Sequence, residues 1–215
     1  VRGGQVKACI VTGWSGDEHR QMSEITAPLM AKYAERHGHC CRVAEMTCGL
    51  PASWAKLPLM AMLLLEFDRV LWLDSDVVVV QPWRDIFAEM RPDTAQALVV
   101  HHTECGEVPN CGVWMVTGEM QALLSSTFHS HPDQDHPWWE QAAIMRLMGY
   151  AVEPGPVGRL DTPTTLYERT TFLGPEWNHH PADRHKCDSP YLMHVTQYAD
   201  RLGTIRDLAA RAAGA

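Results

Sequence analysis

Apolar and polar positions along the chain alternate between a strand-like period of two and a helical period of three to four. Gln5 to Thr12 is a short apolar run that predicts a first strand, closed by the turn Thr12-Gly13-Trp14-Ser15-Gly16. Ile25, Leu29, Met30, Tyr33 and Ala34 then recur at helical spacing as far as His37, with Ser23 placed to cap this helix and Gly38 to end it. Cys40 to Met46 predicts a second strand. A second helix follows, capped by Ser53 and apolar through Leu65, with Pro58 in its first turn, where proline is tolerated. Val70 to Leu73 predicts the third strand. The β-α-β-α-β succession implies an α/β protein built on an open, mostly parallel, doubly wound sheet with right-handed crossovers.

After Pro82, a good first-turn proline, Trp83 to Met90 predicts a short helix. Ala97 to His101 and Cys111 to Val116 predict further strands, and Gly118 to Phe128 a helix. His129 to His136 is polar and turn-rich. Trp138 to Tyr150 predicts a helix with Trp139, Ile144, Leu147 and Met148 available for a core face. Gly155 to Tyr167 predicts loop and short strand, Tyr191 to Val195 a late strand, and Ala199 to Ala213 a surface helix. With 215 residues, no internal repeat and no evident linker, one domain is the simplest organisation, with Gly118 to Tyr167 as a small lobe.

The segment Arg69 to Val80 carries the chemistry. Its apolar, β-branched character predicts a buried strand, yet Asp74 and Asp76 stand in its middle. Unpaired buried carboxylates are very costly. The strand is therefore expected to stop at Leu73, so that Asp74-Ser75-Asp76 opens onto a cleft at the carboxyl end of the sheet, where open α/β sheets bind ligands. Two carboxylates on one face repel unless a proton or cation joins them. Hard oxygen ligands suit Mg²⁺ or Mn²⁺. Thr12 and the Gly/Ser turn after it end the first strand at the same sheet edge, a common nucleotide-contact geometry, although neither Gly-x-Gly-x-x-Gly nor a Walker pattern is present.

Composition narrows the classes. The net charge of −8 argues against general affinity for nucleic acid or anionic membranes. The most apolar stretch, Leu57 to Val80, is interrupted by Glu66, Asp68, Arg69, Asp74 and Asp76, so no membrane span is expected. The seven cysteines include no Cys-x-x-Cys, which fits reduced thiols in a cytoplasmic protein. The chain starts at Val1, so removal of a targeting segment is compatible with it.

Trp54-Ala55-Lys56, Leu71-Trp72-Leu73-Asp74-Ser75-Asp76, Asn110-Cys111-Gly112-Val113, Glu140-Gln141 and a late His194 occur in that order. The set resembles the retaining GT-A glycosyltransferases, in particular the α-galactosyl/xylosyl/mannosyltransferase and glycogenin-like types, from about Val6 to His194. The resemblance implies a GT-A fold with a nucleotide-sugar half (about 1–117) and an acceptor and catalytic half (about 118–215). It also implies metal-dependent transfer of a hexose or pentose from a nucleotide-diphosphate sugar, UDP-sugar first and GDP-sugar as the alternative. The acceptor would be a hydroxyl of a small molecule or glycan, and transfer would proceed with retention. Asp74, Asp76 and His194 would bind the Mn²⁺ or Mg²⁺, Asp74 also touching the donor's ribose. Lys56 would lie near the sugar-phosphate, Asn110 and Gly112 against the donor sugar, and Gln141 on the sugar face opposite the leaving diphosphate, with Glu140 orienting hydroxyls. The family's Gly and Lys after the late His are missing here, where Val195-Thr196-Gln197-Tyr198 follows; Arg201 or Lys186 would have to substitute. Trp177-Asn178 fits the family.

Other readings of the same residues are a surface snorkelling position for Lys56 and a satisfied core position for His194. The Asp-x-Asp strand also resembles the nucleophile motif of haloacid-dehalogenase-type phosphatases, with Asp74 phosphorylated and Asp76 as acid/base. That reading needs a further acidic pair in a late strand. His129, His131, Asp133, Asp135 and His136, with the pairs His101-His102 and His179-His180, suggest zinc, without a helix-borne or finger spacing. A non-catalytic nucleotide-sugar-binding module is a third possibility.

Overall fold

The computed structural model describes residues 6–153 and 157–213. Gln5, Val1 and Gly155, which enter three of the expectations above, lie outside the described residues. Strand β1 (Ala8–Trp14) is buried along its length except at Trp14, as a strand covered on both faces must be. Helix α1 (Gly16–His37) starts seven residues before Ser23, which is buried in its interior. Asp17 and Glu18 sit at the amino end of its dipole, and the buried face runs unbroken through Met22, Thr26, Met30 and Tyr33. Gly38, at φ 73°, ends it by donating to the carbonyls of Ala34 and Glu35. Strand β2 (Cys40–Glu45) follows. A 3-10 turn, Ala52–Ala55, contains Ser53 and runs into the short helix α2 (Lys56–Leu63), so Ser53 is not its cap and Lys56 is its first residue.

Strand β3 (Arg69–Leu73) stops at Leu73, as expected. The apolar run resumes after the turn as β4 (Val77–Val79), which leaves the main sheet. The segment after Pro82 is not a helix; it forms one 3-10 turn, Ile86–Glu89, capped by Asp85. Its backbone is already engaged by Tyr33, whose hydroxyl donates to Arg84 O and accepts from Ile86 N. Strands β5 (Gln96–Thr103) and β6 (Gly106–Thr117) form a hairpin longer than the apolar runs alone indicate, with Gly106 at φ 95° at the turn.

A 3-10 turn at Gly118–Met120 leads into α3 (Gln121–Ser130), followed by α4 (Trp139–Met148). Strands β7 (Tyr150–Ala151) and β8 (Arg159–Leu160) pair with each other, and α5 (Thr165–Glu168) precedes β9 (Thr170–Leu173). After a 3-10 turn at Pro175–Trp177 come β10 (Leu192–His194), which pairs with β4, and α6 (Arg201–Ala213).

The main sheet has the order β2-β1-β3-β6-β5-β9. Only β6 runs against its neighbours; the β1–β2, β1–β3 and β5–β9 pairs are parallel. Side-chain alternation splits the core into two layers. Val11, Trp72 and Trp114 face Trp54, Met60 and Met145 on one side, and Ile10, Leu71 and Met115 face Met30 and Tyr33 on the other. A third apolar cluster joins α1 and α6 through Met22, Val78, Val195 and Ile205. No helix among the described residues is long and apolar enough to cross a membrane.

Candidate active site

The ends of β1 and β3 open onto a cavity of about 880 Å³, walled on the far side by β6, the amino end of α4 and the chain around His194. The register between β5 and β6 slips between Leu98 and Val99, so that Leu98 faces Trp114 while Val99 faces Asn110. The extra residues of β6 bulge out of this ladder, and Asn110 and Gly112, on either side of the buried Cys111, line the cavity, a frequent use of a bulge.

Asp74 and Asp76 flank the turn after β3. His194, on β10, reaches them from across the cavity: its Nε2 lies 3.4 Å from Asp76 Oδ1 and 3.8 Å from Asp74 Oδ2. Ligand atoms of the three residues lie within 4.8 Å of one another, and they form the only His/Cys/Asp/Glu group among the described residues that could hold a metal ion. The other imidazole nitrogen, Nδ1, pairs with Asn178 Oδ1 at 3.1 Å. Asn178 Nδ2 donates onward to Asn110 Oδ1, which fixes that amide so that its oxygen faces His194 and Nδ1 carries the proton. The Nε2 lone pair then meets two carboxylates, three acceptors around one point. Without a cation a second proton must join them. Burial works against the His194 imidazolium, but Asp76 and Asp74 outweigh it and raise its pKa. Burial likewise pushes the Asp76 carboxyl upward, and His194 and Arg201 reverse this and hold it well below the usual carboxylate range. The donor set, two carboxylates and one oriented imidazole, fits a divalent cation.

Lys56 is not a snorkelling surface residue. It is 4% exposed, and its Nζ lies 2.8 Å from Glu140 Oε1 and 3.2 Å from Asp74 Oδ1, over the Trp72 ring. It also donates to the Cys111 carbonyl at 3.4 Å. Burial opposes its charge, yet Asp74 and Glu140 outweigh burial and its pKa is raised. Trp72 Nε1 donates to the same Asp74 oxygen at 2.6 Å. Lys56 and Trp72 therefore brace Asp74 from behind, leaving Oδ2 to the cavity.

A chain of amides runs on from the His194 end. Asn110 Nδ2 donates to Gln141 Oε1 at 3.2 Å, and the backbone N–H groups of Cys111 and Gly112 anchor Gln141 Oε1 and Asn110 Oδ1 respectively. His194, Asn178, Asn110 and Gln141 are thus linked in series. Gly112 closes the arrangement: a Cβ there would collide with His194 Cε1 and lie 2.8 Å from Asp74 Oδ2.

Ser75 lines the cavity, its hydroxyl paired with His19 Nδ1 at 2.8 Å. Thr12 does not reach the cavity, contrary to the sequence-based expectation. Strand β1 continues two residues beyond it, Thr12 is fully buried opposite Val43, and Gly13, Trp14 and Ser15 line the cavity in its place. Glu140 is 3% exposed and tied to Lys56. Of the two proposed substitutes for the missing lysine, Arg201 is at the site, its Nη2 2.8 Å from Asp76 Oδ2, while Lys186 bonds the Pro181 carbonyl away from it.

The His129–His136 group does not assemble a metal site. Asp133 is paired with Arg146, and the buried His136 ring lies between Val152 O and the Trp138 N–H. No further acidic group joins Asp74 and Asp76, as the dehalogenase-type reading required of the described residues. Sequence reasoning gave no role to His19 or to the bracing indole of Trp72, and it noted His101 and His180 only as members of adjacent histidine pairs.

A scan of protein-family models returns no match, and neither does a search of curated protein sequences. Solved structures do match. A glycosyltransferase involved in glycosylating the major capsid of PBCV-1 has a TM-score of 0.63 at 17% identity, over 95% of this chain and 99% of that one. The galactosyltransferase LgtC, solved with donor and acceptor sugar analogs, has a TM-score of 0.60 at 13% identity, over 94% of this chain and 95% of its own. The glycosyltransferase GlyE of Streptococcus pneumoniae TIGR4 has a TM-score of 0.59 at 12% identity, over 95% of this chain and 60% of its own. The fold built on this sheet is that of the GT-A glycosyltransferases.

Proposed function

We propose that the chain is one catalytic domain that transfers a sugar, with retention, from a nucleotide-diphosphate sugar to an acceptor hydroxyl, UDP-sugar being the favoured donor. The observation that carries this reading is the convergence of Asp74, Asp76 and His194 on one point of a large cavity at the carboxyl ends of β1 and β3. These three residues would hold Mn²⁺ or Mg²⁺, which when bound neutralises diphosphate charge and makes the diphosphate a better leaving group.

The remaining roles belong to the chain itself. Gly13, Trp14 and Ser15 border the side of the cavity we assign to the nucleoside. Arg201, already 2.8 Å from Asp76, stands beside the metal ligands, and we assign it the diphosphate contact that the missing lysine makes elsewhere in the family. Asn110 and Gln141, fixed by backbone donors, form a rigid polar wall that we place against the sugar. Glu140 is held by Lys56 and is unavailable as a nucleophile, which supports same-face substitution over a covalent double displacement. In that scheme the acceptor hydroxyl enters on the face the diphosphate leaves, and a departing phosphate oxygen takes its proton. Trp139, 44% exposed at the cavity rim in a left-handed backbone conformation (φ 43°), suits the acceptor side.

The test is turnover of UDP-sugars, with GDP-mannose as the comparison, by wild type and Asp76→Asn. The variant is expected to keep the fold by circular dichroism and lose nearly all turnover. A fully active Asp76→Asn protein overturns the reading.

A further inference from the structure

Two histidines that the scheme above leaves unused stand side by side in the same cavity wall. His101, near the end of β5, and His180, after the Pro175–Trp177 turn, are both buried, and their ring centroids are 4.8 Å apart. Neighbouring groups set their tautomers. Asp183 Oδ2 lies 2.8 Å from His101 Nδ1, while Asp183 Oδ1 accepts the backbone N–H groups of His102 and His185, so this carboxylate is locked in place. His101 Nδ1 therefore carries the proton and Nε2 offers a lone pair. That Nε2 is buried and has no hydrogen-bond partner. Burial lowers the His101 pKa despite Asp183, keeping the ring neutral near pH 7. His180 is arranged the other way. Its Nδ1 accepts the Ala182 N–H at 3.0 Å, so the ring proton resides on Nε2, a donor.

We propose that His101 and His180 form a subsite for sugar hydroxyls, His101 Nε2 accepting a hydroxyl hydrogen and His180 Nε2–H donating to a hydroxyl oxygen. The chemistry is selective. A hydroxyl both donates and accepts, and so satisfies both rings. A phosphate is acceptor-only at its charged oxygens and would oppose the His101 lone pair. An ammonium is donor-only and would oppose the His180 N–H. Leaving a buried acceptor unpaired is costly, which gives the occupied subsite its advantage. This inference rests on the sugar-transfer reading of the cavity. The hydroxyl belongs either to the donor's sugar or to the acceptor.

Two variants isolate the pocket nitrogens. In His101→Asn, the amide nitrogen keeps the bond to Asp183 and only the Nε2 position is lost. His180→Phe keeps a ring against His101 and removes the N–H. Calorimetry with Mn²⁺ compares UDP with UDP-glucose, UDP-galactose and UDP-xylose, and GDP with GDP-mannose. A second arm measures binding of the methyl glycosides of glucose, galactose, mannose and xylose to protein saturated with UDP and Mn²⁺, by ligand-observed NMR. Both variants are expected to bind the bare nucleotides within about twofold of wild type and to lose about tenfold on one ligand set, the scale of one hydrogen bond. Loss on nucleotide sugars assigns the donor; loss confined to glycosides assigns the acceptor. Variants that match wild type on both sets, or that lose bare nucleotides in parallel, overturn the subsite. If wild type itself binds no nucleotide, the proposed function fails and the subsite with it.

Discussion

Replacing Lys56 with methionine removes the one cation between two carboxylates while nearly conserving side-chain volume. Glu140 Oε1 lies 2.8 Å and Asp74 Oδ1 3.2 Å from the ammonium. At an effective dielectric constant of about 20, each attraction is on the order of 5 kcal/mol before the desolvation of the ions is subtracted. Asp74, with a side chain 30% exposed, can be rehydrated from the cavity, whereas Glu140 at 4% cannot. The dominant loss is therefore an uncompensated buried charge at Glu140, about 3–5 kcal/mol, which in a domain of this size lowers Tm by roughly 6–20 °C. Thermal unfolding at pH 7 reads the effect directly. The double variant Lys56→Met/Glu140→Gln removes the stranded charge and is expected to recover most of the loss. A single variant that melts within about 2 °C of wild type, or a double variant no better than the single one, refutes the reasoning.

Three further outcomes follow from the geometry. Gly112→Ala drives a methyl group into His194 and Asp74, so Mn²⁺ affinity should fall well beyond the roughly 1–3 kcal/mol of overpacking seen in unfolding; unchanged Mn²⁺ binding by calorimetry would contradict the placement of Gly112. Asn178→Leu removes the partner of His194 Nδ1 and should weaken Mn²⁺ about 10–100-fold, while equal affinity would remove Asn178 from the metal-ligand support. His180 is held down to about 3 by burial, then by His101 and His194, against 6.5 for an ordinary histidine. Between those values the unfolded chain binds a proton that the folded one does not, so stability is full above pH 6.5 and declines as pH falls, by up to about 1.4 kcal/mol per pH unit. Melting curves in EDTA should therefore depend less steeply on acid pH in His180→Phe, and identical slopes would sink this linkage.

The parts of the fold that were legible in sequence are those where local chemistry and tertiary demand agree. Leu73 could be placed as a strand end because the next residue is a carboxylate that a buried strand cannot hold. Gly38 could be placed as a helix stop because a left-handed residue is needed there. Ser23 misled because a serine before an apolar helical face looks like a cap, while the acidic residues at positions 17 and 18 start the helix a full two turns earlier. Strand β9 was not anticipated; its four residues, Thr170–Leu173, become a strand through parallel pairing with β5, which no local pattern announces. The site divides the same way. Asp74 and Asp76 are conspicuous because they break an apolar run. Arg201 meets Asp76 across 125 positions and Asp183 meets His101 across 82, and only the folded chain brings such pairs together. Local sequence left a surface position open for Lys56 because its two counter-charges lie 18 and 84 positions away (74 − 56 and 140 − 56).

Calorimetric titration with UDP and with GDP, each in Mn²⁺ and in EDTA, asks whether Asp74, Asp76 and His194 make a metal-dependent nucleotide site. Binding of one nucleotide, UDP first, is expected in Mn²⁺ and is expected to be lost in EDTA. Binding indifferent to EDTA would take the metal away from these three residues, and binding of neither nucleotide would rule out a nucleotide-sugar site in this cavity.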